Sequence, residues 1–211
     1  MVCSFFISKM KGVRKIATTG IWKIEKRLDN VIDYTTNIEK TINSDYGKGS
    51  YYDLHNVIDY VEADYKTEKQ FYVSGVNCNP KTALEEMTIT KEQYGKTGGI
   101  LGFHAFQSFA EGEVTPELAH QIGVQFANEM WGDRFQVIVT THLNTNHIHN
   151  HIVLNSVSFK DGLKYYDNHT NYAKMRHISD ELCKEYGLSV IKEKATKKKF
   201  KMTFTTPAKA R

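Results

Sequence analysis

Apolar and polar positions change period several times along the chain, and each period predicts an element. Residues 16–24 (IATTGIWKI) alternate and are rich in β-branched side chains, which predicts a strand. Leu28, Ile32 and Thr35/Thr36 recur at helical spacing and predict a short helix over 27–36. Residues 43–50 (NSDYGKGS) have the composition of a loop. A second short helix over 53–63 and a strand over 70–76 follow, then a helix over 80–94 and a strand over 98–109. Thr115-Pro116-Glu117 is a helix start, because a hydroxyl can cap the first turn and proline suits the first helical position. Leu118, Ile122, Phe126 and Met130 then recur every fourth residue until Gly132. Strands over 135–142 and 148–158 flank Leu143–His147, a segment of hairpin-loop chemistry. A last helix over 171–186 places Met175, Ile178 and Leu182 on one face and stops at Gly187.

This order predicts an α+β fold, an antiparallel sheet with helices packed on one face. The 211 residues suit one domain, taken as 16–192, with an extension at 1–15 and a basic tail at 193–211. Val31-Ile-Asp-Tyr34 and Lys40-Thr41 are echoed by Val57-Ile-Asp-Tyr60 and Lys66-Thr67, which suggests a local duplication or two similar amphipathic helices. No apolar run approaches the ~20 residues of a membrane span, and Met1–Ile7 lacks the charge order of a secretory signal. Cys3, Cys78 and Cys183 are far apart and form no C-x-x-C pair, so a reduced, cytoplasmic compartment is expected.

Charge alters the picture more than composition does. Residues 1–27 carry seven basic and one acidic side chain, and residues 192–211 carry eight and one. Between them, residues 28–191 carry 13 basic against 22 acidic. Basic flanks around an acidic body fit a polyanion contacted at the edges, or solvated termini on an acidic domain.

Four of the nine histidines fall within ten residues: His142, His147, His149 and His151. Alternate strand residues share a face, so His149 and His151 point the same way. If 143–147 is a hairpin loop, His142 lies across from the start of the next strand, where facing Cβ atoms are about 4.5–5.5 Å apart. Three imidazoles then converge from one ribbon. With no thiolate among them they form an open metal site suited to Zn, Mn, Fe, Co or Ni, and to Mg where phosphate oxygens complete it. Asn155, on the same face, is a candidate to orient a ligand. Such a site can hydrolyse esters or act as a Lewis acid on a phosphodiester. A tyrosine among the 12 could lose its proton beside the cation and attack phosphorus.

The segment His142-Leu-Asn144-Thr-Asn-His-Ile148-His149-Asn-His151-Ile-Val-Leu-Asn155 resembles the third motif of MOBP-type relaxases, mobilisation nucleases of the HUH endonuclease superfamily. Tyr34-Thr-Thr-Asn-Ile-Glu-Lys-Thr41 resembles the first motif, with Ile38 where proline is usual. Tyr72-Val-Ser-Gly75 and His104-Ala-Phe-Gln-Ser-Phe109 are similar to the second region. The similarity runs through roughly residues 16–192, nearest to relaxases of Gram-positive integrative conjugative elements. Asn144 stands where the wider pattern has Asp. The resemblance implies a palm-like antiparallel sheet and a divalent metal on His142, His149 and His151, with Mn or Mg expected and Zn, Co or Ni possible. It implies a nucleophilic tyrosine, Tyr34 with Tyr60 as the alternative, that nicks the origin of transfer and leaves a 5′-phosphotyrosine. Single-stranded and hairpin DNA, accessory relaxosome proteins and a type IV secretion coupling protein would then be partners, with no membrane insertion.

Around this centre, His104 is a candidate base or orienter, and Asn144 and Asn155 are candidates for the outer shell. Lys40, Lys66, Lys197, Lys198 and Lys199 are candidate phosphate contacts. Glu111 and Glu113 read as turn residues, His55, His120, His169 and His177 as surface or helix residues, and Trp22 and Trp131 as core. Two other classes stay open at this point: a three-histidine metallohydrolase or cupin-like metalloprotein, and a catalytically idle DNA-binding domain.

Overall fold

A computed structural model describes residues 17–41, 72–144 and 147–190. Ten elements follow in order: β1 (Thr18–Ile24), α1 (Leu28–Thr35), α2 (Ile38–Thr41), β2 (Val73–Val76), α3 (Ala83–Gln93), β3 (Gly102–Ser108), α4 (Pro116–Trp131), β4 (Val137–His142), β5 (His149–Asn155) and α5 (His169–Glu185). The strands form one sheet in the order β1-β3-β5-β4-β2, and every pairing is antiparallel. The helix expected over 53–63, with Tyr60 and the second motif copy, lies outside the described residues, as does the basic tail. Among the described residues no helix is long and apolar enough to cross a membrane.

Every residue of β4 and β5 is buried, so both faces of these central strands are covered. One face carries Ala105, Val137, Val139, Ile152 and Leu154, packed against Ile122, Phe126 and Trp131 of α4 and Met175 and Leu182 of α5. Full burial of a side chain such as Ile122 or Phe126 is worth about 1.5–3 kcal/mol each. The start of α4 follows the expected chemistry, with Thr115 Oγ1 accepting the amide of Leu118 and Pro116 in the first turn. The opposite face was expected to be open, yet Leu28 and Ile32 of α1 and Ala83 and Met87 of α3 bury Ile138 and Val153 there. Helices therefore pack on both faces. The second layer escaped the sequence reading because α1 is only eight residues long and α3 presents a weak apolar stripe.

That second layer covers one end of its face and places α1 and α2 beside the ribbon tip at the other. Ile38, where proline is usual in the resembling motif, opens the four-residue α2. Asn37 closes that turn, its Oδ1 accepting the amide of Glu39 at 2.9 Å and its carbonyl that of Lys40 at 3.0 Å. The Leu143 amide then donates to the Lys40 carbonyl at 2.8 Å, tying α2 to the end of β4.

Candidate metal centre

The β4–β5 register pairs His142 with His149 and Thr140 with His151. His142, His149 and His151 thus share one face of the ribbon, as the spacing predicts. One ring nitrogen from each lies within 4.8 Å of the others, and all three residues are buried.

Hydrogen bonds assign the protons. His142 Nε2 lies 2.8 Å from the Thr35 carbonyl, and His149 Nδ1 lies 2.8 Å from the His147 carbonyl. A carbonyl only accepts, so both of these nitrogens carry hydrogen, leaving His142 Nδ1 and His149 Nε2 as the lone-pair atoms. Backbone carbonyls holding the far nitrogen are the usual means of aiming metal-ligating imidazoles. His151 Nδ1 lies 2.8 Å from His104 Nε2, and His151 Nε2 is buried with no hydrogen-bond partner. An orphaned buried imidazole nitrogen beside two lone-pair nitrogens is the donor set that a divalent cation requires, so the residues fit a metal.

Burial keeps these rings neutral. Desolvation pushes His142 down to about 4 and His104 to about 3, and it lowers His149 and His151 as well, the last most of all. Neutral imidazole is the form that binds a metal.

Of the residues singled out in the sequence, Tyr34 and His104 join the cluster. The Tyr34 ring stands 5.8 Å from that of His142 and 5.9 Å from that of His151 and is 38% exposed, so it lines the open side. Lys40 Nζ sits 3.3 Å from the centre of the Tyr34 ring. Asn155 is not brought to the histidines. It lies two pleats from His151, about 13 Å along the strand, and its amide donates to Met87 O and Gln136 Oε1, anchoring α3. Asn144 is exposed in the turn after β4. Glu113 accepts from Ser189 Oγ, a contact between loops. Tyr60, Lys66 and Lys197–Lys199 lie outside the described residues.

One further reading needs correction. Trp131 is core, but Trp22 is 38% exposed and packs edge-on against His104, with ring centres 4.4 Å apart. His120 is a helix residue, as expected, and is half-buried on α4. It starts a hydrogen-bonded chain beneath the ribbon, on the face opposite the three clustered histidines. Ser74 Oγ and His120 Nε2 are 2.7 Å apart, and His120 Nδ1 and Thr141 Oγ1 are 2.9 Å apart. Thr141 donates to Asn150 Oδ1, and Asn150 donates to Gln107 Oε1 and the Ala119 carbonyl. Gln107 in turn donates to Ser179 Oγ. Thr141 and Asn150 alternate with the clustered histidines along β4 and β5, and this period-two alternation was the signal that could have revealed the chain.

A family model described as relaxase, MobA/VirD2-like, nuclease domain matches residues 60–188, well over half of the chain. The chain belongs to that family. The matched segment contains His104 and the three clustered histidines and begins after Tyr34. Among relatives of this relaxase domain, a Staphylococcus aureus protein named Protein rlx is 40% identical over 122 residues, covering 58% of this chain and 37% of that protein. The group II intron-interrupted relaxase LtrB of Lactococcus lactis subsp. cremoris (strain MG1363) is 29% identical over 189 residues, covering 80% of this chain and 32% of that protein. A solved structure described as "Molecular Basis of Vancomycin Resistance Transfer in Staphylococcus aureus" aligns with a TM-score of 0.48 at 11% identity, over 83% of this chain and 96% of that one. The chain spans about a third to two fifths of the length of these curated relatives.

Proposed function

We propose that residues 16–192 form the catalytic domain of a metal-dependent, strand- and site-specific DNA nickase and transesterase that opens an origin of transfer to start conjugation. The observation that carries this reading is the Tyr34 ring on the rim of the three-histidine cluster, 5.8 and 5.9 Å from two of its members. A divalent ion on His142, His149 and His151, Mn or Mg by preference, would polarise a phosphodiester oxygen and offset the charge that develops on phosphorus.

The chain's own residues supply the rest. The Tyr34 phenol gives up its proton as its oxygen attacks phosphorus, the bond from phosphorus to the 3′-oxygen breaks, and that oxygen leaves taking up one proton in exchange. The DNA 5′ end stays on the tyrosine as a phosphodiester. One phosphodiester replaces another, so little bond energy is lost and the step reverses to rejoin the strand. Lys40, against the Tyr34 ring, lies where a cation favours both the phosphate and the attacking oxygen. The natural substrate on this reading is single-stranded DNA beside a hairpin, handled in the cytoplasm with accessory relaxosome and type IV secretion coupling proteins. Lys66 and Lys197–Lys199 are further phosphate contacts.

The test is a covalent adduct. Incubated with Mn²⁺ and a single strand spanning an origin of transfer, the chain should yield a protein–DNA band that survives denaturation and is abolished by Tyr34→Phe. An adduct lost only in Tyr60→Phe would move the nucleophile to Tyr60. Cleavage with no adduct would rule out the tyrosine mechanism.

A further inference from the structure

On the face of the sheet that carries the metal histidines, the side away from Tyr34 ends in an aromatic shelf. The β1–β3 register sets Trp22 opposite His104 and Gly20 opposite Phe106, and the β3–β5 register sets Phe106 opposite His151. Trp22 and Phe106 have ring centres 5.9 Å apart, tilted by 44°. A Cβ on Gly20 would stand 2.4 Å from Phe106 Cε1, so the glycine lets that ring lie down across β1. The shelf is continuous with the metal centre, because Trp22 packs on His104 with ring centres 4.4 Å apart and His104 on His151 at 4.9 Å. Trp22 nevertheless keeps 38% of its surface open, and Phe106 is half-buried. An indole left open on the strand that edges the sheet among the described residues, next to a site for a charged backbone, is a place for a flat apolar group attached to that backbone.

We propose that Trp22, supported by Phe106, is a stacking platform for an unpaired nucleobase flanking the phosphodiester at the metal centre. The inference rests on the reading of that centre as a DNA-cleaving site and adds where the strand goes. With the scissile phosphate between the histidines and Tyr34, one flank of the strand passes over β5 and β3 to the β1 edge, and its first base meets the Trp22 indole. Every base has a π-face, so this contact grips single-stranded DNA without reading its sequence. Duplex DNA, whose bases are already stacked, gains nothing from it.

The probes are a twelve-residue oligothymidylate and a strand of the same length whose sugars carry no bases, each titrated into the Mn²⁺-loaded chain. Trp22→Ala should weaken oligothymidylate binding about five- to hundred-fold, and Trp22→Phe should restore most of it. Affinity for the base-free strand should match in all three proteins, a pattern that a merely structural role for Trp22, acting through His104, would not produce. Trp22→Leu, which keeps apolar bulk on β1, serves if the alanine variant does not fold. Equal oligothymidylate affinity in unmodified and variant chains, or an equal loss on the base-free strand, would overturn the shelf. So would oligothymidylate failing to bind the unmodified chain, or preferential binding of a duplex or of anionic lipid vesicles. The adduct assay on the same preparation separates these results from failure of the nuclease reading, since an adduct formed by a chain indifferent to Trp22→Ala removes the shelf alone.

Discussion

His104 Nε2 lies 2.8 Å from His151 Nδ1, and this contact decides which way His151 can face a metal. For His151 Nε2 to offer a lone pair, Nδ1 must carry the proton and donate it to His104 Nε2. His104 must then be neutral, with its own hydrogen on Nδ1, and burial, which pushes it down to about 3, keeps it so. On the proposed reading of the centre, His104 therefore positions His151. His104→Leu should weaken Mn²⁺ binding about 10- to 100-fold, and His104→Gln, which keeps an acceptor, should recover part of it. Calorimetric titration of the metal-free chain measures this, and unchanged affinity in the leucine variant would refute the assignment.

Lys40 makes a separate prediction, because its ammonium lies over the Tyr34 ring. Lys40→Met keeps the stem and removes the charge. Adduct formation should slow about ten-fold or more, by analogy with the loss of one charge-stabilising group at an active site, while Mn²⁺ affinity stays the same or rises slightly. Single-turnover rates on a labelled strand provide the measurement. A Lys40→Met rate equal to that of the unmodified chain would show that the cation only packs against the ring.

The histidine ribbon was legible because strand periodicity is strict: i and i+2 share a face, and a strand with a buried apolar set has its register fixed by that set. The i+4 rows of α4 and the Thr115-Pro116 start were legible for a similar reason, since helix geometry repeats over several turns. What escaped was set by long-range packing. Trp22 sits in an alternating strand with nothing local to show that β1 would be the sheet edge, and bulk alone suggested core. Asn155 shares the ligands' face, but the sequence does not tell which end of that face α3 will cover. His120 lies 21 residues from its partner Thr141 and 46 from Ser74, and neither distance leaves a periodic trace.

Acid should destabilise the metal-free chain in a window set by these rings. His104, His120 and His142 sit at about 3, 4 and 4 when folded, all through burial, against an ordinary value near 6.5. Between those limits the unfolded chain binds more protons than the folded one, so stability falls as pH drops below about 6.5 and keeps falling until the folded rings titrate. The loss between pH 7 and pH 4.5 should be roughly 2–3 kcal/mol per ring, on the order of 7 kcal/mol for the three together. The depressed carboxyls of Asp29 and Asp161, held near 2 by hydrogen bonds from Arg27 and Arg134, act mostly below this window. Urea titrations in EDTA should show the midpoint falling from pH 7 to pH 4.5, with a shallower fall in His120→Gln. A flat profile over that range would show that the rings are not buried as described.

Gly123 of α4 offers a way to disturb the ribbon from behind. A Cβ there would stand 2.4 Å from Asn150 Nδ2 and 2.7 Å from Asn150 Cγ, with Val139 Cγ1 at 3.1 Å. Asn150 cannot retreat without breaking its bonds to Thr141, Gln107 and Ala119, all in the buried layer beneath β4 and β5. Overpacking at such a point typically costs about 1–3 kcal/mol, and the displaced Asn150 lies between His149 and His151 in the same strand. Gly123→Ala should therefore lower the unfolding free energy by about that amount and also weaken Mn²⁺ binding, although no atom of Gly123 faces the histidines. Asn150→Ala in the same background relieves the clash and should recover part of the stability lost in Gly123→Ala while leaving metal binding impaired, because the ribbon's tie to α4 is gone. If Gly123→Ala loses stability but binds Mn²⁺ as tightly as the unmodified chain, the layer beneath the ribbon supports the fold without aiming the ligands.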